Sequence, residues 1–203
     1  MAISTYAELT AAVNDWSDRA FTTSQTDNFI ALAEAQFNRE LTHYSRETTT
    51  TWTTDSSGEK TLPDDFDGIV SVYVSGIVGG PISQVDWKAL RQRNQAGVSG
   101  IASAYAVSGT KFKTDIVAAD DYVVTYVQTL TALSGDNTTN WLLTAAPDAY
   151  LAMCRSKAEA FLGNLPEADA YKGEALQVLE AVTRHSRLAR LGRATMTIRG
   201  ATP

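Results

Sequence analysis

Cysteine is almost missing from this chain: Cys154 stands alone among 203 residues, so no internal disulfide can form. A lone thiol fits a reducing compartment. Cys154 falls on the apolar face of its helix and reads as a small core residue rather than a nucleophile. Histidine is nearly as scarce. His43 and His185 are far apart, and neither has a cysteine or second histidine at ligand spacing, so no zinc site is expected. No apolar run approaches the ~20 residues of a bilayer span, so no membrane partner is expected. The opening Met-Ala-Ile-Ser-Thr-Tyr has neither the basic nor the apolar region of an export signal, and the chain is expected to stay in the cytoplasm where it is made.

Catalytic motifs are missing too. Gly76, Gly79 and Gly80 fit neither a P-loop nor a dinucleotide fingerprint. Asp64-Asp65-Phe66-Asp67 lacks the spacing of a calcium loop. Ser156 and Ser186 have no nucleophile elbow around them. No carboxylate pair of the kind that cleaves sugars has a defined cleft. The expectation is a protein that is not an enzyme, with no catalytic, cofactor-binding or metal-binding residues.

What is present is ordinary globular composition, 44% hydrophobic and 20% charged, on a chain long enough for a sizeable core. The charge is uneven. All 23 acidic residues precede position 184, where they face 12 basic ones, a net charge of -11. Residues 184–203 carry five arginines and no acid. Such a basic end suggests an acidic partner, whereas the acidic body argues against nonspecific DNA binding by the whole domain.

The pattern along the chain predicts helices at both ends and strands between. Thr5 to Glu8 reads as a capping box, followed by a stripe of Tyr6, Leu9, Val13, Trp16 and Ala20. Thr22 to Thr26 offers caps for a second helix striped by Phe29, Ala33, Phe37 and Leu41. The threonine run within Arg46–Thr54 favours strand. Ile69–Val74 reads as a strand with Val70, Val72 and Val74 on one face. Ser83–Gln95 reads as a short helix, Tyr105–Val107 and Lys111–Lys113 as strands joined at Ser108-Gly109, and Tyr122–Leu130 as the strongest strand. Pro147 opens a helix striped by Tyr150, Leu151, Cys154, Ala158, Phe161 and Leu162. A last long helix has acids first and arginines late, complementing its dipole, with Gly192 as its stop. The fold class expected is α+β, mainly α: a four-helix bundle core with a central β-rich insertion and an extended C-terminal tail. The boundaries are 1–45 with 131–192 for the bundle, 46–130 for the insertion and 193–203 for the tail. Trp16, Phe37, Trp141 and Tyr150 are expected in the core.

Four words in order carry a resemblance. They are Ile3-Ser4-Thr5-Tyr6-Ala7-Glu8-Leu9 with Trp16, then Phe29-Ile30-Ala31-Leu32-Ala33-Glu34-Ala35 with Asn38-Arg39-Glu40-Leu41. Leu62-Pro63-Asp64-Asp65-Phe66 follows, and last Asn140-Trp141-Leu142-Leu143 with Pro147-Asp148-Ala149-Tyr150-Leu151. Together they resemble the head-to-tail adaptor (connector) proteins of tailed phages, short-tailed type. The resemblance implies a structural virion protein at the head–tail interface, made in the host cytoplasm. It also implies a ring, usually of twelve copies, which completes the head and whose partners are the portal protein, the tail tube or nozzle, and itself. The portal-docking candidates are Arg184, Arg187, Arg190, Arg193, Met196, Ile198 and Arg199. Three readings of the arginines stand open: docking on an acidic portal, contact with packaged DNA, or a merely solvated end. The rival functions are a DNA-binding or DNA-sealing module acting through the basic tail, and a tail-associated cell-wall hydrolase.

Overall fold

The computed structural model describes residues 3–95 and 100–191. In chain order the elements are α1 Tyr6–Trp16, α2 Thr23–Glu40, a 3-10 turn Tyr44–Arg46, β1 Glu47–Thr53, β2 Glu59–Thr61, β3 Phe66–Val74, β4 Ser83–Gln84, α3 Trp87–Gln95, β5 Ala104–Ser108, β6 Lys111–Thr114, β7 Asp121–Gln128, α4 Trp141–Ala145, α5 Pro147–Leu162 and α6 Leu165–Leu191. They form two compact units, Met1–Ser45 with Leu130–Pro203 and Arg46–Thr129. The class is α+β. The expected tail, residues 193–203, and Gly192 lie outside the described residues.

In the helical unit, α1 and α2 begin at capping boxes. The Thr5 hydroxyl accepts from the Glu8 amide while the Glu8 carboxylate accepts from the Thr5 amide, and Thr22 and Gln25 repeat the arrangement. Each box satisfies two amides that a helix start leaves without partners. Leu9 and Val13 of α1, Phe29, Ile30, Ala33 and Phe37 of α2, all of Ala149–Cys154 in α5, and Ala175 and Leu179 of α6 bury one core.

The expected four-helix bundle is corrected: this unit holds α1, α2, α4, α5 and α6 among the described residues. The added helix is the Trp141-Leu142-Leu143 triplet, which reads in the sequence as the end of a loop. Asn140 caps it, its Oδ1 accepting from the Leu143 amide at 2.9 Å. It stops at once because Pro147 keeps the preceding residue out of helical conformation, and Ala146 sits at φ -146°.

The expected core set is corrected in two places. Trp16 is 61% exposed. α1 ends at Trp16, so no further turn carries the apolar stripe into cover, and the indole instead faces the Arg155 guanidinium, 5.5 Å from the ring centre. Trp141 is only half-buried, while Leu142 and Leu143 beside it are fully buried. Phe37 and Tyr150 are fully buried and meet edge to face at 4.9 Å.

In the second unit, β7 is the centre of a three-stranded antiparallel sheet ordered β1-β7-β3. Its Tyr122, Val124 and Tyr126 are buried against Trp52 of β1 and Phe112 of β6. A second sheet runs β2-β6-β5-β4, with β4 parallel to β5. Gly109, at φ +58°, turns β5 into β6.

Two strand expectations change. Val70 is exposed rather than aligned with Val72 and Val74, because the β3–β7 register shifts between Ile69 and Ser71 and a bulge resets the alternation. Ser83 and Gln84 form a strand rather than helix, and α3 starts at Trp87, where the Asp86 carboxylate accepts from the Lys88 amide at 2.8 Å. On the second sheet, Lys111 and then Lys113 hydrogen-bond Glu59, at 2.6 and 2.9 Å, and pull its carboxyl down to about 2.

Candidate functional site

α6 separates charge along its length. Glu167 lies in its first turn, and Arg184, Arg187 and Arg190 lie in its last turns. Residues three apart on a helix step by about 60° in azimuth, so the three guanidinium groups fan around the axis instead of forming one row. Arg184 reaches Glu180 one turn back at 3.1 Å, with both side chains well exposed, so this pair contributes little stability. Arg187 lines a shallow hollow of about 290 Å³ with Glu40, Leu176 and Thr183. Arg190 is exposed. Ser186, in the gap of the fan, is buried, and its hydroxyl accepts from the Tyr44 amide at 3.1 Å, which ties this part of α6 to the segment after α2. Arg193, Met196, Ile198 and Arg199 lie outside the described residues.

Beside this basic end is a cleft of about 500 Å³. His43, Tyr44 and Trp141 form one wall, Val178, Val182 and His185 of α6 another, and Asp148 stands at its edge. The His43 ring stacks on Trp141 at 4.6 Å and lies 4.3 Å from the Tyr44 ring. Its Nδ1 accepts from the Ser45 amide at 3.0 Å, which leaves Nε2 to carry the proton of the neutral ring. Burial, then the neighbouring His185 and Arg190, hold its pKa below the usual histidine value. The structure therefore brings together two histidines that sequence separation sets apart. Among the described residues, no group of three His, Cys, Asp or Glu side chains is placed to hold a metal.

Sequence reasoning missed this cleft. Its walls come from three distant segments, and the one local signal was a tryptophan flanking a helix start. Because Trp141 is half-buried and stacked, Trp141→Ala is expected to cost about 1–2 kcal/mol, less than the 3–5 kcal/mol typical of a sealed aromatic. Leu142→Ala next to it is expected to cost about 2–5 kcal/mol. Urea unfolding of the two variants, read by helix ellipticity, checks the order; a larger loss for Trp141→Ala reverses it.

Beneath the cleft, a buried polar network fixes the segment that leads into α4. Tyr150 OH donates to Glu34 Oε1 at 3.1 Å and accepts from Asn140 Nδ2 at 2.7 Å. Glu34 also accepts from the Leu133 amide at 2.9 Å, and Asn140 donates to the Thr131 carbonyl at 2.9 Å. Burial raises the Glu34 carboxyl above its usual range and raises the Tyr150 phenol strongly. The Cys154 thiol is likewise raised by burial, which removes it as a nucleophile. These groups position backbone and offer no accessible reacting atom.

The site is thus a basic helix end beside a partly apolar cleft, a surface for contact. A family model described as SU10 adaptor protein matches residues 4–199. The chain belongs to this family. It is a phage adaptor, a structural virion component of a family that is not an enzyme family. The match gives no support to the cell-wall hydrolase or DNA-sealing readings. The comparison with curated proteins gives no match. No described helix of the adaptor is long and apolar enough to cross a membrane.

Proposed function

We propose that the adaptor is one protomer of a ring, dodecameric as in short-tailed phages, that joins the portal to the tail tube or nozzle at the head–tail interface. The basic end of α6, with the following segment, is its portal-docking surface. The observation that carries this is the family match together with the charge layout: an acidic body, and arginines exposed at the end of one helix. An acidic portal surface would be steered and oriented by those arginines. In residues 193–199, Met196 and Ile198 alternate with polar residues, a pattern suited to adding a strand to a neighbour's edge.

Deleting residues 193–203 is expected to weaken capture by the cognate portal about tenfold or more, with the melting temperature nearly unchanged. Pull-down on immobilised portal, beside circular dichroism of the truncated protein, checks this. Full-strength binding by the truncation removes the segment from the docking surface. A salt-sensitive shift of DNA by the intact protein, lost in the truncation, moves the reading toward packaged DNA.

A further inference from the structure

Four exposed apolar side chains share one end of the helical unit. Trp16 closes α1, Phe161 and Leu162 close α5, and Leu165 opens α6. Ring contacts hold these ends together. Phe21, between α1 and α2, lies 5.1 Å from Phe29 and 6.5 Å from Phe161. The Arg155 guanidinium lies between Trp16 and Tyr171, 3.9 Å from the Tyr171 ring centre. The apolar groups are large and mostly uncovered, with Phe161 at 60% and Leu165 at 63% exposed. Large apolar groups exposed together at the ends of neighbouring helices suit a contact surface. Its surroundings hold acids, partly offset by Arg19 and by the Arg155 that covers Trp16. Asp15 and Asp18, with Arg19, line the adjoining hollow, and Glu167 lies in the first turn of α6.

On the β unit, α3 offers the opposite charge. Its Trp87-Lys88-Ala89-Leu90-Arg91-Gln92-Arg93 stretch contains no acid. Leu90 is fully buried and anchors the helix, and Arg93 reaches Asp115 at 3.9 Å. Lys88, Arg91 and Gln92 are exposed and, with half-buried Trp87, line a hollow of about 340 Å³.

We infer that these two surfaces meet between copies: the acidic aromatic end of one chain receives the basic α3 face of a second chain. The charges match in sign, and each surface carries a tryptophan to anchor the contact. In this pairing Asp15 and Asp18 of one copy face Lys88 and Arg91 of the next. A contact between two different surfaces propagates from copy to copy and ends only by closing. The inference rests on the reading of the adaptor as a ring protomer and names the flanks of that ring.

The test is assembly on the cognate portal, with an equal mixture of isotopically light and heavy adaptor and a zero-length carbodiimide cross-linker. The expected product is an amide bond between Lys88 and Asp15 or Asp18 in peptides of mixed isotope, which proves that it joins two copies. Asp15→Lys with Asp18→Asn, asparagine being chosen because residue 18 has φ +47°, is expected to cut assembly about tenfold. Lys88→Glu with Arg91→Glu is expected to do the same, and all four changes in one chain are expected to restore it. These side chains are exposed, and circular dichroism confirms that each variant folds. Full assembly by both charge-changed variants, without the Lys88 cross-link, overturns the flank assignment and leaves the ring standing. Portal-bound adaptor that yields no cross-link between copies of any kind overturns both.

Discussion

Tyr150→Ala is expected to lower the stability of the helical unit by about 3–5 kcal/mol. The ring is fully buried, and its loss leaves a cavity beside Phe37, whose edge-to-face partner it is. The hydroxyl adds a second reason. It links Asn140, the cap of α4, to Glu34 of α2 through one atom. Tyr150→Phe keeps the packing and removes that atom, and is expected to cost about 1–2 kcal/mol, because Asn140 keeps the Thr131 carbonyl and Glu34 keeps the Leu133 amide. Glu34→Gln separates charge from hydrogen bonding: the amide retains an acceptor and removes a charge that burial disfavours, so near-neutral stability at pH 7 is expected. Urea midpoints read at the helix ellipticity decide it. A loss under about 1 kcal/mol for Tyr150→Ala would show that α4 and α5 close around the gap.

The second large effect is at Gly58. It ends the turn between β1 and β2, where its amide donates to the Asp55 carbonyl and its own carbonyl accepts from the Thr114 amide. Its φ is +71°, and a Cβ there would lie 2.2 Å from the Ile116 carbonyl oxygen. That neighbour is backbone and cannot swing away as a side chain tip would. Gly76 supplies the control, since it has the same φ of +71° with nothing near a new Cβ. Gly76→Ala is expected to cost only the left-handed strain, about 1–2 kcal/mol. Gly58→Ala is expected to cost at least about 3 kcal/mol, strain and overlap together. Unfolding of the β unit followed by Trp52 fluorescence compares them, and equal losses would show that Ile116 moves aside freely.

The helix starts were legible because each is written in a few adjacent residues: Thr5 with Glu8, the cap candidates of Thr22 to Thr26, Pro147 at the head of α5. β7 was legible because its alternating Tyr122, Val124 and Tyr126 all face one core. Trp16 was misread because periodicity tells which residues share a face and not how far the covering partner extends. Val70 was misread because a bulge in a run of valine and serine leaves no mark in composition. β2 and β4, of three and two residues, are too short for alternation to register. At the candidate site, the arginines showed as a charge imbalance. The cleft beside them did not, since residues 43–45, 141–148 and 178–185 become neighbours only through folding.

The threonines of β1 also govern how the protein behaves when crowded. β1 pairs with β7 on one side, and among the described residues no strand pairs with its other edge. An edge strand of β-branched residues is a template for runaway strand addition. Threonine keeps the β-favouring branch while its hydroxyl interrupts the dry interdigitation that fibrils require. Thr49 occupies its hydroxyl with Thr125 across the pair, at 2.9 Å. Valine in the same places would build the same sheet and leave a chain prone to precipitate at the concentrations reached when many copies accumulate together.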